Sequence, residues 1–266
     1  MEARRRVRDL GNVCRDQISR RGTVLRRFLI GVIAFPALIM PAQAGIEEGM
    51  AAYERADYTV ALSEFRPLAR SGDPAAQYRL GQMYFFGQGV ATNPNEAAKW
   101  FKSAAEKGNA GAQYHLGLLF DTGRGVKASA AEAASWFRKA AEQNDPQAQF
   151  TLGYLYQDGR GVQKSGPEAL RWYRRAAEQG HAIALFAMGI CLRSCPGVTE
   201  DAVQTHMWLD LAYGRLTPGN MRDAAGRIRD KVAARMTTGQ VAEAQQLASQ
   251  WKPVTQVCGS TALATC

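Results

Sequence analysis

Histidine is scarce in this chain, with His115, His181 and His206 the only three in 266 residues. Neither His-Glu-x-x-His nor Gly-x-Ser-x-Gly occurs, which removes the zinc-hydrolase and nucleophile-elbow signatures. Cysteine is sparse as well. None of the five cysteines stands in a Cys-x-x-Cys pair, so neither a thioredoxin-like motif nor a zinc knuckle is indicated. Long apolar runs are missing too: Phe28 to Met40 is thirteen residues, too few to cross a bilayer of about 30 Å as a stable helix. Lysine is absent from the first 44 residues, where nine arginines and three acids give 9 − 3 = +6. The remainder holds 24 basic and 21 acidic residues, or +3 of the total +9. The basic character belongs mainly to the N-terminal segment, and no nucleic-acid partner is expected.

That segment has the layout of an export signal. Arginine-rich sequence ends at Arg26-Arg27, the apolar run follows, and Pro41-Ala42-Gln43-Ala44 supplies the small residues a signal peptidase reads, with cleavage expected after Ala44. Ser19-Arg20-Arg21 resembles a twin-arginine signal, but the apolar residues that should follow it are out of place, so general export is the reading. The alternative is an uncleaved anchor. The expected location is periplasmic or secreted, with no stable membrane span once the signal is removed. Cleavage leaves Cys191, Cys195, Cys258 and Cys266, an even number that suggests disulfides with three possible connectivities. Local pairing is the simplest arrangement. On an intact helix, though, side chains four apart place their Cβ atoms about 6 Å apart, against about 3.8 Å for a disulfide. Either the helix ends there or Cys191 and Cys195 pair with the tail.

What the chain has in abundance is self-similarity. Gly81, Gly117, Gly153 and Gly189 recur every 36 residues, as do Ala76, Ala112, Ala148 and Ala184, and Trp100, Trp136, Trp172 and Trp208. Gly87-Gln88-Gly89-Val90 returns as Gly123-Arg124-Gly125-Val126 and Gly159-Arg160-Gly161-Val162, and the fourth copy keeps only Gly197-Val198. Fixed self-similarity of this length marks a repeat array. Each unit reads as two helices, the first over about 74–86 and the second over about 94–107. The buried stripe of the first holds Gln77, Leu80, Gly81 and Tyr84, and that of the second holds Ala97, Trp100, Phe101, Ala104 and Ala105. A mid-helix glycine costs about 1 kcal/mol against alanine, so its recurrence predicts a neighbour too close to admit a Cβ. Gly108 and Gly180 can end the second helices in left-handed caps, and Asn144 is the next most suitable residue.

The Gly-x-Gly element could be taken for a phosphate loop, with Arg124 or Arg160 as anion ligand. No strand precedes it, Ala128 stands where a third glycine belongs, and the arginines correspond to Gln88 in the first copy. The reading is therefore a turn whose glycines admit φ > 0, with Val90 plugging the gap beneath. Residues 57–73 align as an incomplete unit, with Ala61 matching Ala97, Phe65 matching Phe101 and Gly72 matching Gly108. A first helix over about 46–56 joins it by a shorter turn. Beyond the array, helices are expected over about 218–236 and 238–251, the second capped by Thr238.

The pattern Ala-x3-Leu-Gly-x2-Tyr-x2-Gly-x-Gly-Val…Ala-x2-Trp-Phe-x2-Ala-Ala-x-x-Gly resembles the Sel1-like repeat, a 36-residue relative of the tetratricopeptide repeat, over about 75–213. The resemblance implies an all-α, right-handed solenoid of antiparallel helix pairs, used as a scaffold or adaptor. Some secreted bacterial members carry a disulfide in each repeat and have been credited with penicillin binding. Here cysteines occur only in the last unit and the tail, a departure from that subgroup. The expected organisation is a signal at 1–44, a tetratricopeptide-like cap at 45–73, four repeats at 74–214, a helical cap at 215–252 and a cysteine-bearing tail at 253–266.

The search for chemistry yields no constellation, and no cofactor or metal site is expected. His115 stands where other units have Arg79 and Thr151, which predicts exposure; His206 stands where others have Ala98 and Leu170. Ser249-Gln250-Trp251-Lys252 matches Ser-x-x-Lys, but Ser-Asp-Asn and Lys-Thr-Gly are missing and Lys252 falls at the expected helix end. Binding is the remaining role. In the geometry the resemblance implies, the first helices line a concave groove, and Tyr78, Gln82 and Phe85 share one side of such a helix. Their counterparts include Tyr114, Leu118, Phe150, Tyr154 and Phe186. An aromatic ladder suits a peptide or partner protein. Alternatively the series Tyr78, Tyr114, Phe150 and Phe186 packs between successive first helices, leaving Gln82, Arg79 and Tyr154 as the specific contacts. The expectation is a non-catalytic scaffold or regulator of the cell envelope, binding an envelope protein or peptide. The rivals are a penicillin-binding hydrolase and a structural component that binds peptidoglycan or polysaccharide.

Overall fold

The computed structural model describes residues 41–254, with side chains from residue 45. The part of the expected export signal before residue 41 and the cysteines Cys258 and Cys266 lie outside the described residues. Among those described are twelve helices and no strand: α1 (Pro41–Glu54), α2 (Tyr58–Ser71), α3 (Pro74–Phe86), α4 (Pro94–Glu106), α5 (Ala110–Thr122), α6 (Ala130–Glu142), α7 (Pro146–Asp158), α8 (Gly166–Glu178), α9 (Ala182–Ser194), α10 (Ala202–Arg215), α11 (Asn220–Ala233) and α12 (Thr238–Gln250). They form an α-solenoid in which consecutive helices from α1 to α11 pack on one another, while α12 packs back on α10. The first and second helices of the four units are α3/α4, α5/α6, α7/α8 and α9/α10.

The helix starts recur with the repeat. Asp73, Asn109, Asp145 and His181 each cap a first helix by accepting the amide of the third residue onward. Asn93, Ser129, Ser165 and Asp201 do the same for the second helices. Each such cap contributes about 1 kcal/mol. Left-handed residues close the other ends, with Gly87, Gly123 and Gly159 after the first helices, and Gly108, Asn144 and Gly180 after the second.

The mid-helix glycines are contact points. A Cβ on Gly81 would lie 2.6 Å from the ring of Phe101, on Gly117 2.8 Å from Phe137, on Gly153 2.7 Å from Tyr173, and on Gly189 2.7 Å from Leu209. Those four partners are fully buried. The N-terminal pair repeats the contact with Gly49 against Phe65, 16 residues apart in place of 20, because its turn is four residues shorter. Buried glutamines join successive units: Gln77, Gln113 and Gln149 donate to the carbonyls of Ala69, Ala105 and Ala141 at the end of the preceding helix.

Three boundaries differ from the sequence reading. α1 begins at Pro41, before the expected 46, so the expected cleavage point after Ala44 falls in its first turn. α11 begins at Asn220, after Pro218-Gly219. Thr237, not Thr238, caps α12, because Gln240 is then the third helical residue and its side chain returns a bond to the Thr237 amide. α11 and α12 cover α10: Ala225, Ile228, Leu247, Ala248 and Trp251 join the core around Leu209 and Leu211.

Candidate interaction face

The expected groove residues all lie on α3, α5, α7 and α9, and they divide into two kinds. Tyr78 is half-buried and packs on Gly111 at the start of α5, where a Cβ would come 2.8 Å from the ring. Phe150 stacks on His181 with ring centroids 5.2 Å apart, and Tyr114 tilts against Phe137 at 5.5 Å. Phe186 is half-buried too, so this series is mostly packing between units. Gln82 donates to the Tyr78 hydroxyl at 2.8 Å and accepts from Arg79 at 3.0 Å. Leu118 and Phe85 are half-buried, whereas Tyr154 is 42% exposed. Among the described residues the most open aromatic is Phe86 at 55%, set edge-on to Phe85 with centroids 4.9 Å apart. Sequence spacing missed Phe86 because its counterparts Thr122, Asp158 and Ser194 are polar.

The variable residue in each glycine turn reaches back to one rung of the preceding unit. Gln88 accepts from Tyr53 at 2.7 Å, Arg124 lies over the Phe85 ring at 4.6 Å, and Arg160 pairs with Asp121 at 2.5 Å. Both arginines span 39 residues, and their partners are one unit apart. Each turn therefore matches the side chain it meets, as a hydroxyl, a ring or a carboxylate. The second glycine of the turn is forced by proximity: a Cβ on Gly125 would strike the backbone of Pro94, and on Gly161 that of Ala130. These turns are inter-unit latches, which accounts for an arginine there without any anion.

The fourth unit closes differently. Cys195 takes the place of the capping glycine in extended backbone, donates its amide to Cys191 at 2.9 Å and is bonded to the Cys191 sulfur. The helix does end there, which resolves the alternative left open by spacing in favour of the local pair. A disulfide of this kind belongs to an oxidising compartment.

His115 is not exposed as expected. Its ring stacks on Phe101 at 5.0 Å among Tyr78, Phe85 and Phe86, Nδ1 is buried without a partner, and burial pulls its pKa down to about 4. The aromatic surroundings favour a neutral ring where other units carry Arg79 and Thr151. Burial also lowers the pKa of His181 and His206. His206 is 3% exposed. Among the described residues no group of three or more His, Cys, Asp or Glu could hold a metal. Ser249 donates to the Gln246 carbonyl at 2.8 Å on the exposed side of α12, and Lys252 lies past the helix end.

Comparison with known proteins accords with this geometry. The Sel1 repeat model matches residues 74–109, 110–145 and 146–181. A Sel1 repeat protein from Oxalobacter formigenes is 32% identical, with TM-score 0.60 over 72% of this chain and 85% of that one. The chain belongs to the Sel1 repeat family. A protective antigen present in uropathogenic Escherichia coli strains, displaying an SLR fold, is 30% identical with TM-score 0.65. That alignment covers 79% of this chain and 46% of the antigen, so the chain spans about half of that protein. No curated protein matches the chain. Sel1 repeat proteins are generally protein-interaction scaffolds. In this Sel1 repeat protein the fourth unit, beyond the matched residues, keeps the glycine contact of Gly189 with Leu209 and the second turn glycine, Gly197, while a disulfide-bonded cysteine replaces the first.

Proposed function

We propose that this Sel1 repeat protein is a non-catalytic scaffold or regulator of the cell envelope that binds a partner protein or peptide along the face formed by α3, α5, α7 and α9. The observation that carries the reading is the exposure of Phe86 and Tyr154, at 55% and 42%, on helices whose other large side chains are spent on packing. Exposed aromatics set on a rigid frame are the residues that dominate interface energetics. The residues around them differ from unit to unit, as recognition of one partner requires, whereas the glycine, alanine and ring positions repeat. The disulfide and the export-type N-terminal sequence support an envelope location, and among the described residues no helix is long and apolar enough to cross a membrane.

The test is site-specific photo-crosslinking in intact cells from Phe86, Gln82 and Tyr154, with Lys99 and Lys102 on α4 as controls. One dominant protein captured from the first set and absent from the second is the expected result. Capture of glycan alone, or equal capture from both sets, rejects the reading.

A further inference from the structure

The chain just past the last unit, α11 and the turn that follows it, is strongly basic. Segment 220–235 holds five cations (Arg222, Arg227, Arg229, Lys231, Arg235) and two carboxylates (Asp223, Asp230), or 5 − 2 = +3. That equals the whole positive excess of residues 45–266, which is 24 − 21 = +3. Two of the five are committed inward: Arg229 pairs with Asp210 at 2.7 Å, and both Arg229 and Arg222 lie over the Tyr213 ring. Arg227 and Lys231 follow at four-residue spacing, which puts side chains on one helical side, and Arg235 lies in the turn just past the end of α11. All three are exposed, and none forms an ion pair among the described residues.

Lys231 and Arg235 border a cleft of about 300 Å³ that is also lined by Arg193 from the end of α9. Glu200, ahead of α10, and Ala202, its first residue, line it as well, so the cleft holds three cations against one carboxylate. Arg193 has its backbone held by the fold, since it lies inside the ring closed by Cys191 and Cys195, and its side chain is exposed. It is also the fourth member of the rung that reads Phe85, Asp121 and Gln157 in the earlier units. The cleft therefore lies at the C-terminal end of that rung, on the same set of first helices as the proposed interaction face.

We propose that this cleft binds an acidic segment of a partner polypeptide, whose Asp or Glu carboxylates meet Arg193, Lys231 and Arg235. The inference rests on the scaffold reading and adds the charge and the polarity of the bound chain: aromatic contacts toward α3, carboxylates toward α11. Unpaired cations of this kind raise the local concentration of an anionic ligand and fix its register. A concave site suits a chain that can enter it. A flat anionic bilayer suits it poorly, because Met221 is the one large hydrophobic exposed on α11 and membrane docking needs an apolar face beside the charge.

The experiment titrates the full chain with a fluorescein-labelled hexaglutamate peptide at low and at physiological salt. Variants are Lys231→Glu/Arg235→Glu, Arg193→Gln, and Lys99→Glu/Lys102→Glu as a control with the same charge change. The first should weaken binding at least tenfold, the second about threefold and the control less than twofold, with affinity falling as salt rises. Absence of hexaglutamate binding at low salt overturns the proposal, as does equal weakening in the control. Should the double reversal unfold the chain, as judged by circular dichroism, Arg193→Gln decides alone. Inorganic phosphate and phosphatidylglycerol vesicles are titrated in parallel. Binding of either that Lys231→Glu/Arg235→Glu abolishes while hexaglutamate binding is unchanged assigns the cleft to that anion and rejects the peptide. Crosslinking from Tyr154 separates the two failures. Capture that survives the reversal while hexaglutamate binding fails leaves the scaffold standing without the acidic segment. No capture in the unmodified chain removes the scaffold itself.

Discussion

Replacing Gly117 by alanine tests whether the repeating glycines are set by contact between paired helices. Two opposing effects are involved. Alanine favours the helix over glycine by about 1 kcal/mol. Against that, the new Cβ would lie 2.8 Å from two ring carbons of Phe137, which has no exposed surface and no room to withdraw. Overpacking of this kind costs about 1–3 kcal/mol, so the expected outcome is a net loss of about 1 kcal/mol. Gly214, in α10, has nothing within 4 Å of an added Cβ. Gly214→Ala should then gain about 0.5–1 kcal/mol from the helix alone. Urea denaturation of the full chain, followed by circular dichroism, measures both. At Gly189 a cycle is possible, since Leu209→Ala removes the obstructing side chain. In that background Gly189→Ala should lose its penalty, giving a coupling of 1 kcal/mol or more in the range of about 0.5–3 kcal/mol seen for touching residues. Stabilisation by Gly117→Ala equal to that of Gly214→Ala would refute the close-contact account.

Three further outcomes are expected. His115 has a folded pKa near 4 against an ordinary 6.5, so the unfolded chain binds its proton first and stability falls as pH drops through that window. The loss from this residue is about 3 kcal/mol, and His115→Phe should flatten the decline of urea midpoint between pH 7 and pH 4. The lowered pKa values of His181 and His206 act in the same direction, whereas the raised pKa of Asp145 opposes them at the acid end. Reduction of Cys191–Cys195 opens a five-residue loop and should lower stability by about 2 kcal/mol. Cys191→Leu/Cys195→Gly, which restores the residues of the third unit, should make the midpoint indifferent to reductant. A double-mutant cycle on Arg160 and Asp121 should give a coupling of about 0.2–1 kcal/mol that shrinks in high salt, as for a pair in which Arg160 is 44% exposed.

The parts of the fold that repeat were legible because a periodic chain reports the same constraint several times. The 36-residue recurrence of Gly81, Ala76 and Trp100 marked the helix pairs, and α3 ends where Gly87 requires it. What escaped was set by partners outside the repeat's own register. Gln88, Arg124 and Arg160 looked unrelated until each was seen against the preceding unit, where Tyr53, Phe85 and Asp121 wait for it. His115 was misplaced because Arg79 and Thr151 suggested solvent, while the ring of Phe101 supplied a stacking surface. Thr237 and Thr238 are equal as caps in isolation, and only the return bond from Gln240 separates them. On the candidate face, the regularity of Tyr78, Tyr114 and Phe150 reflects packing, and the open contacts are the irregular ones, Phe86 and Tyr154.

The central claim is most directly tested by the affinity of the purified chain for the protein captured from Phe86. The comparison is between Phe86→Ser/Tyr154→Ser and Lys99→Ser/Lys102→Ser, since the two exposed aromatics and the two exposed lysines lie on different helices of the units. The account predicts that the aromatic pair weakens binding by at least thirtyfold, about 2 kcal/mol, as truncation of hot-spot residues does. It predicts that the lysine pair changes binding by less than threefold. Equal losses from both pairs, or a loss confined to the lysines, would contradict it.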